Sequence, residues 1–160
     1  MYKRMLVPVD GSEAGRRGLR EAIALARSLD AAIRLVHVID RLPWLSLEVT
    51  APAVQELVER LQSDGESILN DSLDAVRAVG VAVDSRLVDA MGTAAGECVI
   101  EEAASWPADV IVCGTHGRRG VRRMLMGSDA EYILRHSPVP VLMVRSPGPT
   151  EHLSRESVTP

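Results

Sequence analysis

Apolar positions along the chain switch repeatedly between short unbroken runs and helical spacing. Met5-Leu-Val-Pro-Val9 is a brief apolar run cut off by Asp10-Gly11-Ser12, which reads as a buried strand ending in a tight loop. Ser12 is an N-cap type, and after it Leu19, Ala22, Ile23, Ala26 and Leu29 recur with the period of an amphipathic helix. Ile33–Ile39 reads as a second strand, and Asp40–Pro52, with Pro43 and Pro52, as the longest irregular connection. Val54, Leu57, Val58, Leu61, Ile68, Leu69, Val76 and Val79 then mark one stripe of a long helix over Ala53–Val79, closed by Gly80 as C-cap. Gly65 within it reads as a mild weakness. Val81–Val88 reads as a third strand, followed by a helix from about Thr93 that stops before Pro107. Asp109–Cys113 reads as a fourth strand, Ser128–His136 as a short helix and Val139–Val144 as a fifth strand. Residues 1–145 thus make one domain, and Ser146–Pro160 is expected to be a disordered polar tail.

Five strands alternating with helices predict an open parallel sheet with helices on both faces. Right-handed crossovers leave few topologies, and order 3-2-1-4-5 is the simplest doubly wound one. Strands 1 and 4 then lie side by side at the topological switch point, where ligands of open α/β sheets bind. The loop after strand 1 is Pro8–Ser12. The loop after strand 4 is Gly114–Ser128, so both reach one crevice. Strand 5 becomes an edge, and Val139-Pro-Val-Leu-Met-Val144 carries no charge to discourage pairing. The expectation is a homodimer formed through that strand.

Composition removes several classes of function. The chain is 46% hydrophobic and 25% charged, as in an ordinary soluble domain, and no apolar run approaches the roughly 20 residues of a membrane span. No signal-peptide pattern precedes the first strand, so a cytoplasmic protein is expected. Cys98 and Cys113 lack metal-ligand spacing and read as buried, reduced thiols. A net charge of −4 and only two Trp, two Tyr and no Phe argue against nucleic acid as the partner.

The chemistry concentrates in Gly-Thr-His-Gly-Arg-Arg-Gly-Val-Arg-Arg-Met-Leu-Met-Gly-Ser, residues 114–128, where no acidic residue interrupts the glycines and arginines. Glycine lets backbone N–H groups approach an anion, and Gly127-Ser128 opening a helix would aim donors and the positive helix end at it. No Gly-x-x-x-x-Gly-Lys-[Ser/Thr] is present, and Lys3 is the sole lysine of the chain. Gly-x-Gly-x-x-Gly is absent too. What is present is Gly114-x2-Gly117-x9-Gly127-Ser128.

That spacing resembles the nucleotide-binding signature of the universal stress protein family. The likeness extends to Met5-Leu-Val-Pro-Val-Asp-Gly-Ser12, Val36-His-Val38, Gly127-Ser-Asp-Ala-Glu131 and His136-Ser-Pro-Val-Pro-Val-Leu-Met-Val144, covering about residues 2–145. The resemblance implies a flavodoxin-like, adenine-nucleotide α-hydrolase-like fold that binds ATP, is commonly dimeric and serves survival under stress. It would place Gly114, Gly117, Gly127 and Ser128 on ribose and phosphates, Asp10 by the ribose, and Pro8, Val9 and Val38 by the adenine. Asp129 departs from the small apolar or hydroxyl residue found in many ATP-binding members. A carboxylate there can compete with a γ-phosphate or help hold Mg2+, which leaves ATP, ADP and AMP all open.

Plainer roles stand beside these. The glycines can be simple turns, and Arg118, Arg119, Arg122 and Arg123 a solvated helix face. His116 can serve the loop, His37 can be a strand residue with a satisfied ring, and Asp10 can bond its own turn. No base–nucleophile or metal constellation stands out. The reading is therefore an adenine-nucleotide-binding stress protein that works through a nucleotide-dependent state and an unidentified protein partner. A slow ATPase or nucleotidyl-transfer enzyme, and a dimeric interaction module without nucleotide, are the alternatives.

Overall fold

In the computed structural model, residues 1–40, 51–115 and 127–145 are described. They form β1 (Arg4–Pro8), α1 (Glu13–Leu29), β2 (Ala32–Ile39), α2 (Ala51–Arg77), β3 (Val83–Asp89), α3 (Ala95–Ser105), β4 (Val110–Gly114), α4 (Ser128–His136) and β5 (Val141–Val144). The strands make one sheet in the order β3-β2-β1-β4-β5, and every neighbouring pair is parallel. The expected doubly wound order is the observed one, with β1 between β2 and β4 at the switch point.

Alternate residues of a strand point to opposite faces, and both faces of the central strands are covered. Met5, Val7, Ile33, Leu35, Val110 and Val112 form one core with Leu19, Ala22 and Ala26 of α1 and Leu69, Leu73 and Val76 of α2. Leu6, Val36 and Ile111 form the other with Val99 and Ala103 of α3 and Ile133 of α4. This is why β1 and β4 read as apolar runs rather than alternating ones.

Two local readings are corrected by the fold and a third is extended. The long helix begins at Ala51, so Pro52 belongs to it and not to the connection. Proline is tolerated in a first turn because N–H groups there have no intrahelical acceptor. The fifth strand starts at Val141 instead of Val139. Pro138 and Pro140 flank Val139 and cannot donate to a ladder. The Val139 N–H instead donates to Ser137 Oγ at 3.2 Å, and sheet bonding starts with the Ile111 N–H on the Pro140 carbonyl at 3.0 Å. Finally, Gly65, a mild weakness that does not break the helix, also has a packing role. A Cβ there would lie 2.8 Å from His37 Cδ2 and 2.9 Å from Leu87 Cδ1, so α2 seats on β2 and β3 through this glycine.

Polar pairings join segments distant in sequence. Arg34 donates through Nε and an Nη to both oxygens of Asp84 on β3, at 2.7 and 2.6 Å. Its other Nη reaches Glu102 on α3 at 3.0 Å, while its guanidinium lies 4.8 Å from the Trp106 ring. Lys3 donates to the Leu29 and Asp30 carbonyls at the end of α1, at 2.8 and 2.9 Å. The Asp109 carboxylate accepts the Lys3 and Arg4 N–H groups, both at 2.8 Å, fixing the start of β1 beside β4.

Candidate functional site

The β1–α1 turn is built by short side chains that bond their own backbone. Asp10 Oδ1 accepts the Ser12 N–H at 2.9 Å and the Ser12 hydroxyl at 2.6 Å. Ser12 Oγ in turn accepts the Gly15 N–H at 3.0 Å, capping α1 as its residue type leads one to expect. Gly11 between them sits at φ +76°, where a side chain would be strained. The turn-bonding role of Asp10 is thus present, and it holds the half-buried carboxylate at the end of β1.

Next to this turn, Pro8 closes β1 and the Val9 N–H donates to the Val36 carbonyl at 2.9 Å. Val38 lies two residues further along β2, half-buried, on the face of α3 and α4. Gly114 ends β4, and its backbone is pressed against α1. A Cβ on it would strike the Ala14 carbonyl and stand 3.0 Å from Ala14 Cβ. A Cβ on Gly18 would likewise stand 3.1 Å from the Gly114 nitrogen. This pair of glycines lets the first turns of α1 lie directly on the end of β4.

Thr115 ties the ends of the glycine-rich segment together. Its N–H donates to the Val144 carbonyl at 3.1 Å and its carbonyl accepts the Gly127 N–H at 2.9 Å. Gly127 is the N-cap of α4, in extended backbone, and has no side chain of its own to cap the helix. The N-cap of α3, Ala94, also provides no side-chain cap. These two helix starts meet: a Cβ on Gly96 would be 3.0 Å from the Asp129 carbonyl oxygen and 3.1 Å from Tyr132 Cβ. First-turn N–H groups and the positive ends of both helix dipoles therefore converge close to the strand ends. Ser128 is exposed and Asp129 half-buried at that point. Gly117, His116, Gly120 and the four arginines lie outside the described residues.

The structure therefore gathers Pro8, Val9, Asp10, Val38, Gly114, Gly127, Ser128 and Asp129 at the carboxyl edge of the sheet. Two contributions escaped the sequence pattern. One is the start of α3, where the small residues of Thr93-Ala-Ala-Gly96 were the available sign of close helix approach. The other is the partner of His37: its buried ring is satisfied in the strand as its sequence reading had it, and the group it bonds is the Val9 carbonyl at 2.7 Å. A cavity of about 390 Å3 lies between β3 and α3 and is lined by Arg86, Asp89, Cys98, Glu101 and Glu102 among others. It includes none of the residues gathered at the crevice.

Both cysteines are buried and free of disulfide. Burial pushes the Cys113 thiol up to about 11, and burial with the nearby Glu101 and Glu97 carboxylates raises that of Cys98. Neither is a thiolate nucleophile at neutral pH. Among the described residues, no group of three or more His, Cys, Asp or Glu side chains could hold a metal ion. No helix among them is long and apolar enough to cross a membrane.

An open α/β sheet with two adjacent helix starts whose N-cap residues give no side-chain bond is an architecture for holding an anionic ligand. The chain belongs to the universal stress protein family, whose model matches residues 1–145. A universal stress protein of Methanocaldococcus jannaschii, MJ0531, is 32% identical over 148 residues, covering 92% of this chain and 84% of the relative. Among solved structures, the protein MJ0577 superposes with a TM-score of 0.80 at 27% identity, covering 92% of this chain and 99% of that one. A universal stress protein from Archaeoglobus fulgidus, solved in complex with dAMP, superposes at 0.62 with 20% identity, covering 89% and 97%. Another family member, solved in complex with cAMP, superposes at 0.63 with 23% identity, covering 90% and 97%.

Proposed function

We propose that this protein binds an adenine nucleotide at the carboxyl edge of its sheet and acts in the stress response through the bound state. The observation that carries the reading is the start of α4. It opens at Gly127 without a side-chain cap, tied to Thr115 at the end of β4 and pressed against the equally uncapped start of α3. First-turn N–H groups and two positive dipole ends suit a phosphate. In this reading Gly114, Gly117, Gly127 and Ser128 hold ribose and phosphates, and Asp10 meets the ribose hydroxyls. Pro8, Val9 and Val38 flank the adenine. Two family members solved with dAMP and cAMP support the base and the ribose phosphate.

ATP is the fullest occupant the crevice would take, with ADP and AMP as its shorter forms. Mg2+ would enter with the phosphates, since it commonly keeps them and several waters as ligands, and Asp129 is the carboxylate at hand. A homodimer paired through β5 belongs to the same reading. Leu142 is 37% exposed on this edge strand, and no charge interrupts Val141–Val144. Two buried, unpaired thiols agree with a cytoplasmic setting.

The test is extraction and chromatography of nucleotide from the purified protein, then titration calorimetry with ATP, ADP and AMP. A released adenine nucleotide, and binding abolished by Gly127→Val with the melting curve unchanged, is the expected outcome. Absence of both resident nucleotide and binding at millimolar concentrations would refute the reading. A monomer by light scattering at micromolar concentration would refute the β5 dimer.

A further inference from the structure

His37 occupies a place in the sheet where a backbone bond would ordinarily be. Along β2 the peptide groups alternate in direction. The Ala32 N–H donates to Lys3 on the β1 side at 2.8 Å, and the Ile33 N–H donates to Ala82 on the β3 side at 2.9 Å. By that alternation the Val36 and Val38 peptides both face β1. The last rung between the two strands is the Val9 N–H on the Val36 carbonyl. A continuing parallel ladder would place the Val9 carbonyl on the Val38 N–H. Instead the Val9 carbonyl takes His37 Nδ1 at 2.7 Å. A carbonyl only accepts, so Nδ1 carries the proton.

The ring is held in this pose from behind. It is 5% exposed, and the Gly65 backbone of α2 comes so near that a Cβ there would stand 2.8 Å from Cδ2. We propose that His37 is a positioning residue that parts β1 from β2 at the switch point. By satisfying the Val9 carbonyl it ends the ladder one rung early and leaves the Val38 peptide turned into the crevice. A peptide N–H and C=O are a donor and an acceptor side by side. An adenine edge, with a ring nitrogen beside its amino group, is the complementary pair. This inference rests on the adenine-nucleotide reading and names how the base side of that site is kept open.

The experiment compares His37→Leu with His37→Asn in the full chain by titration calorimetry with AMP. Asparagine can present an N–H near the position of Nδ1, whereas leucine keeps bulk without a donor. The expectation is a loss of about tenfold in affinity for His37→Leu, the worth of one well-aligned hydrogen bond, and near wild-type affinity for His37→Asn. Equal affinity of His37→Leu and wild type would overturn the proposal, as would equal losses in both variants. Amide exchange of the wild-type protein gives a second reading that no variant can spoil. The Val38 amide should exchange faster than that of Val36 without ligand and become protected by AMP. A Val38 amide already protected in the free protein, or unaffected by bound AMP, would overturn it. If the wild-type protein binds no AMP, ADP or ATP at all, the nucleotide reading itself fails.

Discussion

Gly114→Ala separates two reasons for a glycine at the end of β4, packing and ligand approach. The added methyl would strike the Ala14 carbonyl of α1, stand 2.6 Å from its carbonyl carbon and 3.0 Å from Ala14 Cβ. None of these atoms can swing away as the end of a long side chain could. Relief requires α1 to lift from β4, where Gly18 already lies so near that a Cβ on it would stand 3.1 Å from the Gly114 nitrogen. Overpacking against backbone belongs at the top of the usual range, about 3 kcal/mol. Alanine returns up to about 1 kcal/mol by restricting the unfolded chain, so the net loss is about 2 kcal/mol. For a domain of this size that is a fall in Tm of about 4–8 °C. Urea and thermal unfolding of nucleotide-free protein measure it directly. A variant as stable as the wild type but unable to bind nucleotide would refute the packing argument and leave Gly114 as a ligand-contacting glycine only.

Glu102→Ala removes a carboxylate with one-tenth exposure that accepts from Arg34 at 3.0 Å. Because Arg34 keeps both bonds to Asp84, the loss should be about 2 kcal/mol, below the 3–5 of a fully stranded buried charge, and a change under about 0.5 in urea unfolding would contradict the network. Backbone N–H groups of Lys3 and Arg4 hold the Asp109 carboxyl below its ordinary range. Its contribution is therefore present above the unfolded carboxylate value and disappears as pH falls through the lower folded one. Asp109→Asn should flatten the acid limb of stability against pH, and an unchanged limb would exclude this group as a source of it. Cys113, with its thiol near 11, should resist iodoacetamide at neutral pH and react once the protein is unfolded. Rapid labelling of native protein there would show that β4 opens.

Much of this architecture is legible along the chain because it depends on local chemistry. Buried strands announce themselves as short apolar runs, helices as stripes, and turns as Asp10-Gly-Ser12 or as Gly80, which does sit at φ +76°. With the handedness of crossovers, those cues suffice for the 3-2-1-4-5 order, which sets the ends of β1 and β4 side by side. The cap role of Ser12 is local too. What tertiary structure decided are contacts between residues that no spacing relates. Arg34 meets Asp84 and Glu102 across 50 and 68 positions, and His37 meets Val9 across 28. Gly65 and Gly114 look alike as small residues in the sequence. Only the packed chain shows that one seats α2 on a histidine and the other seats α1 on a strand end. The reason is physical: periodicity records which side of an element is buried, whereas the partner met there depends on where parallel crossovers bring distant segments together.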